Sequence, residues 1–284
     1  MGSLSWSKCS DIEEYSKLSL SFPENEFLIS KEEISALFQK YPPLNDFILS
    51  KLEPPFIYGD NSVYYGEWSG DQRHGRGIYI NSIGVKCIGY WKGNKFSIKG
   101  EIIFPNQDKY EGEILANKRV GYGVYISHQY GFVYEGTWID DKMHGKGRLH
   151  NQSNDSEYEG NFECGKMKGY GKYKWKNGDI YQGMFENNKM KGKGSLICSN
   201  GEQYEGEWNN NLFNGQGKFT DRKGNVYIGN FHNDEFCGTG KYIWNNGDEF
   251  IGNWIDSQPN GEGEIFYKSN GQKIKGKWEN GNLV

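Results

Sequence analysis

From Tyr64 onward, large apolar side chains and glycines alternate with polar residues, and short polar runs break the pattern at regular intervals. In Tyr134-Glu135-Gly136-Thr137-Trp138, the Tyr, Gly and Trp share one face and Glu and Thr the other, a period of two that predicts a β-strand. A polar turn follows, and Gly145-Lys146-Gly147-Arg148-Leu149 then alternates in the same way. The apolar position after this Gly-x-Gly recurs as Tyr79, Ile102, Tyr125, Leu149, Tyr173, Leu196, Phe219, Tyr242 and Ile265. A second turn, such as Lys176-Asn177-Gly178-Asp179 or Asn245-Asn246-Gly247-Asp248, leads into the next copy. Asn-Gly suits a tight hairpin because its central residues need positive φ. Each copy therefore predicts one β-hairpin.

The copies begin at Tyr64, Cys87, Tyr110, Tyr134, Tyr158, Tyr181, Tyr204, Tyr227, Phe250 and Ile274, in steps of 23 or 24 residues. A fixed period of this length marks a repeat architecture whose units do not fold singly. The expected fold is mainly β: an elongated, twisted single-layer antiparallel sheet of tandem hairpins over residues 58–284, with nine full units and a terminal half unit. Composition sharpens this expectation. Only 35% of residues are hydrophobic, yet 16% are aromatic and 40 are glycine, so large flat rings beside glycines must hold a thin structure together. The glycines leave room for rings on one face and allow strong twist.

Residues 1–57 carry no repeat and predict a tail followed by two short helices. Ser30-Lys31-Glu32-Glu33 reads as a capping box, with Ile34, Leu37, Phe38 and Tyr41 as one apolar stripe and Pro42-Pro43 as the stop. Leu44, Phe47, Ile48 and Leu52 predict a second helix, stopped at Pro54-Pro55. Such helices are expected to cover the first edge of the sheet, or to dock a partner. Near the start, Gly2 and Cys9 are candidate lipidation sites, although Trp6 stands where the usual myristoylation pattern has Ser or Thr.

The Tyr-x-Gly-x-Trp…Gly-x-Gly phrase resembles the MORN repeat (membrane occupation and recognition nexus), and the resemblance covers residues 64–284. Departures are local: Cys87 replaces Tyr and Ile98 replaces the first Gly of its pair, and Ile114 replaces Trp in the next unit. Those units are expected to be the least regular. The resemblance implies a protein-binding scaffold or adaptor in a cytoskeletal or ciliary assembly, similar to radial-spoke and other axonemal scaffolds. It implies residence in the cytoplasm and cytoskeleton, and in the cilium or axoneme. Arrays of this kind also accompany lipid kinases and methyltransferases, attached to a separate catalytic domain. Here the sequence runs out at Val284 within the half unit, so no enzyme is expected.

The remaining chemistry agrees. His74 and His144 recur inside the repeat phrase as turn residues, and His128, His150 and His232 have no partner at ligand spacing. The Gly-x-Gly follows a turn and enters a strand, which is not the setting of a phosphate-binding loop. No catalytic, metal or cofactor site is expected. Five scattered cysteines, none in Cys-x-x-Cys, suit a reducing compartment. A net charge of −4 argues against nucleic acid as a partner. Against this background, eight lysines between Cys164 and Gly194, less Asp179 and Glu186, give a local net charge of +6. Lys166, Lys168, Lys189 and Lys191 are expected to stack as a basic docking patch for an acidic protein or anionic membrane lipid. That patch, with acylated Gly2 or Cys9, defines the alternative of a lipid-anchored adaptor. On the aromatic face, Tyr181, Phe185, Tyr204, Trp208, Tyr227 and Phe231 are expected to line a partly open groove for a partner helix or extended segment.

Overall fold

The structure, a computed structural model, describes residues 29–44 and 51–284. These form two compact units, one of residues 29–44, 51–155 and 162–165 and the other of residues 156–161 and 166–284. The fold is mainly β, as the alternation predicts. In the N-terminal unit, helix α1 (Lys31–Lys40) precedes β1 (Lys51–Ile57), β2 (Val63–Ser69), β3 (Gln72–Ile80), β4 (Lys86–Lys92) and β5 (Lys95–Ile103). Strands β6 (Lys109–Leu115), β7 (Lys118–Ser127), β8 (Phe132–Ile139) and β9 (Lys142–Asn151) complete it. Strand β10 (Ser156–Glu163) contributes to both units.

The C-terminal unit continues with β11 (Lys166–Lys174), β12 (Ile180–Glu186), β13 (Lys189–Ile197), β14 (Gln203–Asn209) and β15 (Leu212–Thr220). It ends with β16 (Val226–His232), β17 (Glu235–Ile243), β18 (Glu249–Ile255), β19 (Gln258–Phe266), β20 (Lys273–Glu279) and the short β21 (Asn282–Leu283). Within each unit, successive strands pair antiparallel in one open sheet. The register sets the two repeat glycines opposite each other, as in Gly66↔Gly77 and Gly206↔Gly217. A bulge follows, and it brings Trp68 opposite Arg73 and Trp208 opposite Phe213.

The helix forms where its signals stand. Ser30 accepts from the Glu33 amide at 3.1 Å and Glu33 accepts from the Ser30 amide at 2.9 Å, so the capping box is complete. The expectation that it covers the sheet edge is corrected: α1 lies on a face of the sheet. Leu37 and Tyr41 are buried against Ile78, Ile80 and Tyr90, with Phe38 and Ile88 beside them. The strand beside β2 is β1, and it contains Pro54-Pro55. Residues 45–50 of the expected second helix lie outside the described residues, but its end at Leu52 and its proline stop belong to a strand. The pairing of β1 with β2 is irregular between Glu53 and Phe56, where the two prolines supply no N–H.

Candidate functional site

The repeat phrase builds one face that is buried along most of the array and open at Trp68 and Phe56. Each repeat tyrosine lies over the facing pair of glycines: a Cβ on Gly206 or Gly217 would stand 2.5 or 2.6 Å from the Tyr204 hydroxyl. That hydroxyl donates to the backbone carbonyl three residues on, at 2.7–3.1 Å from Tyr64 through Tyr227 wherever the repeat has tyrosine. Burial holds these phenols above their ordinary pKa. Neighbouring repeats are joined by the indoles. Trp91, Trp138, Trp208 and Trp254 donate through Nε1 to the carbonyls of Gly77, Gly123, Gly194 and Gly240 at 3.1–3.2 Å.

A further position closes the face, and sequence reasoning missed it by folding it into the polar turn. It is the second residue of each return strand: Phe96, Met167, Met190, Phe213 and Phe236 are buried there. Phe213 stacks on Tyr204 with centroids 3.7 Å apart, and Phe236 on Tyr227 at 3.8 Å. Arg73 and Arg119 fill the same place with their guanidinium groups over Trp91 and Trp138 at 4.6 and 4.4 Å. The turns latch these residues. Asn188, Asn211 and Asp234 accept from the amides of Met167, Met190 and Phe213 at 2.6–2.8 Å.

The expected partner groove is therefore corrected in one respect. Tyr181, Phe185, Tyr204, Trp208, Tyr227 and Phe231 are each at most 4% exposed, because Met190, Phe213 and Phe236 cover them. The ladder of rings is core.

The opposite, outer face remains open. In the C-terminal unit it carries Tyr170, Met184, Ile197, Ile228 and Ile251, all between 42% and 54% exposed. A cleft of about 590 Å³ there is lined by Tyr170, Gln182, Lys193, Glu205, Lys218 and Ile228. In the N-terminal unit the same face holds α1. Ion pairs ring that contact: Glu33 with Lys86, and Lys40 with Glu101 and with Glu111 at 2.9 Å. Tyr90 donates to the Pro42 carbonyl at 2.7 Å. Burial works against the Glu101 carboxylate, but bonds from Lys109 and Lys40 outweigh it and hold its pKa below the ordinary value. For Glu33, burial is likewise outweighed by Lys86 and the Ser30 amide.

The basic patch is assembled in part. Lys166, Lys168 and Lys191 are exposed and Lys189 is half-buried. Lys191 pairs with Glu186, whose carboxyl is held low first by that bond and also by the charge of Lys168. Gly2 and Cys9 lie outside the described residues. Among the described residues no three His, Cys, Asp or Glu side chains group as metal ligands, and no helix is long and apolar enough to cross a membrane. Burial pushes the Cys87 and Cys198 thiols up to about 12, which suits structural rather than nucleophilic cysteines.

Known proteins share this pattern. The MORN repeat family model matches residues 64–85, 110–130, 134–156, 158–180, 181–203, 204–226, 227–249 and 250–272. The full unit it passes over is the one with Cys87 and Ile98. The chain is 31% identical over 122 residues to Alsin of Homo sapiens, covering 40% of this chain and 7% of Alsin. It is 37% identical over 96 residues to MORN repeat-containing protein 3 of Xenopus laevis, covering 32% of this chain and 30% of that protein. The matches thus span under a third of these relatives' own length. Among solved structures, the G-box domain of the microcephaly protein CPAP aligns with 80% of this chain and 99% of its own, at 8% identity and a TM-score of 0.32. With eight matched repeats over most of its length, the chain belongs to the MORN-repeat family, a repeat of the non-enzymatic scaffold type.

Proposed function

We propose that the protein is a non-catalytic scaffold that binds other proteins in a cytoskeletal or ciliary assembly, of the axonemal or radial-spoke kind, within the cytoplasm. Partners sit on the outer face rather than on the aromatic ladder. One observation carries this reading: the outer face leaves Tyr170, Met184, Ile197, Ile228 and Ile251 exposed in the C-terminal unit, while the rings opposite are sealed. Side chains that the fold itself does not need to bury are the ones available to another chain.

The test is crosslinking in source cells after extraction with mild detergent and moderate salt. Retention in the insoluble cytoskeleton, with defined crosslinked neighbours lost in an Ile228→Lys, Ile251→Glu variant that melts like the parent, supports the reading. Release by detergent alone, or neighbours unchanged in that variant, overturns it.

A second reading, a lipid-anchored adaptor on anionic membranes, is favoured by the exposure of Lys166, Lys168 and Lys191 on adjoining hairpin ends. Glu186 weakens it by drawing on two of those lysines. Cosedimentation with phosphatidylserine vesicles separates the two. Salt-sensitive binding lost on charge reversal of Lys166, Lys168, Lys189 and Lys191 supports the membrane reading, and no binding at physiological salt rejects it.

A further inference from the structure

Helix α1 occupies only part of the outer face of the N-terminal unit, and a cleft lies beside it. Two hairpins beyond Ile78 and Ile80, the equivalent places on β7 are Val124 and Ile126. Both are half-buried, and Tyr122 next to them is 50% exposed. With Lys99, Lys109, Glu111 and Glu113 they line a cleft of about 540 Å³. The cleft continues the α1 contact, because Glu111 is paired with Lys40 of the helix and Lys109 with the same cluster through Glu101 at 2.7 Å.

The charges around this seat follow the order of those around α1. Under α1, Lys86 opens β4 beside Ile80 and meets the acidic first turn at Glu33, while acids beyond the sheet's apolar stripe meet Lys40 in the last turn. In the cleft, Lys109 opens β6 and stands in register with Ile126; Glu111 stands opposite Val124, and Glu113 accepts from the Tyr122 amide at 2.9 Å. Glu135, opposite Val124 on β8, adds a further acid. Lys109 on β6 and Glu135 on β8 thus repeat the two-strand step from Lys86 on β4 to Glu111 on β6, with Val124 and Ile126 on the strand between them, while Glu113 lies farther along β6. An acidic first turn and a basic last turn also match the helix dipole.

We infer that the cleft on β6 and β7 seats a second amphipathic helix beside α1, supplied by a partner protein, with an acidic first turn toward Lys109, an apolar face on Tyr122, Val124 and Ile126, and a basic last turn toward Glu113 and Glu135. This inference rests on the scaffold reading and names the chemistry of one partner.

The probe is a fluorescent peptide copying residues 29–44, which carries this charge order, titrated into the full chain by anisotropy. The expected result is saturable binding at one site, weakened at least about tenfold by Tyr122→Glu, by Val124→Lys, or by a peptide with acidic and basic ends exchanged. Ile228→Lys leaves it unchanged, and hydrogen exchange shows the chain's own α1 still protected. Tyr122→Glu stands at an exposed position, so it keeps the test valid if Val124→Lys disturbs folding. Absent saturation, indifference to both variants, or loss of protection in α1 overturns the second seat. Each of those results leaves the Ile228 and Ile251 crosslinking test of the scaffold reading untouched. A peptide that binds in either charge order identifies the cleft as a general apolar site and also rejects the inference.

Discussion

The Tyr204 hydroxyl donates to the Glu207 carbonyl at 2.7 Å while its ring covers Gly217 on the neighbouring strand, so one side chain spans a β-bulge and fills the space of two missing Cβ atoms. The hydroxyl and the glycines contribute separately. Gly217→Ala places a methyl 2.6 Å from the hydroxyl, and the ring has no free volume into which to move. A loss of about 2–3 kcal/mol is expected, as for overpacked cores. Tyr204→Phe keeps the ring and loses one bond, at a cost of about 1 kcal/mol. Phe250 already fills this place in its own repeat, over Gly252 and Gly263. Urea unfolding, with hydrogen exchange in β14 and β15, measures both and should rank them in that order.

Ile98 is a β-branched residue at φ 78°, where Gly121, Gly145 and Gly192 have φ of 54°, 67° and 73°. L side chains in this region cost about 1–3 kcal/mol, more so when β-branched. Its side chain is 43% exposed, so little packing offsets the strain. Ile98→Gly is therefore expected to stabilise the N-terminal unit by about 1 kcal/mol after the entropy cost of glycine in the unfolded chain. The denaturant midpoint should rise with an unchanged slope. A fall would show that the Ile98 side chain makes a contact worth more than the strain it imposes.

The strands, their period and the pairing of tyrosine with glycine were legible in the sequence because alternation directly reports which residues share a face. Which face is closed was not legible. Closure depends on the bulge after Gly206, which brings Trp208 opposite Phe213 and carries a residue that reads as part of a turn into the core. The same shift buries Met190 and Phe236, and with them the six rings expected to line a partly open groove. The helix was legible from Ser30 and Glu33, but its landing place was not, since Ile78, Ile80 and Ile88 look like ordinary outward positions until Leu37 is seen against them. The prolines of β1 misled for a related reason: a helix stop and an edge strand both tolerate Pro54-Pro55.

The seating of α1 should depend on acid. Glu33 and Glu101 both have folded pKa values held below the ordinary 4.5. A carboxyl depressed on folding contributes stability that is present above its unfolded value and lost as pH falls through its folded value. Contact between α1 and the sheet is therefore expected to be constant from pH 7 to about 5 and to weaken below 4.5. Raised salt should weaken it as well, because Lys40 and Glu111 are partly exposed. Protection factors of the Leu37 and Phe38 amides, compared at pH 3.5 and 6.5, test this; equal values would show that apolar contact alone holds the helix.

Leu37 is the side chain on which the helix turns. It is 1% exposed and buried with Tyr41 among Ile78, Ile80 and Tyr90, whereas the rest of α1 is at least partly open to solvent. A helix of ten residues has too few internal bonds to persist unaided, so it exists here because this face is buried. Leu37→Ala removes contact worth about 2–5 kcal/mol, comparable to the whole margin by which so short an element stays docked. The expected outcome is local: amide protection falls across residues 31–40 and at Ile78 and Ile88, while β14 to β18 exchange as before. Repeat units stabilise one another mainly through nearest neighbours, so the loss does not reach the C-terminal unit. Slowed or unchanged exchange in α1 would mean that the ion pairs at Lys86 and Glu101 suffice to hold it. Faster exchange throughout β14 to β18 would mean that the helix supports the array as a whole rather than occupying a seat upon it.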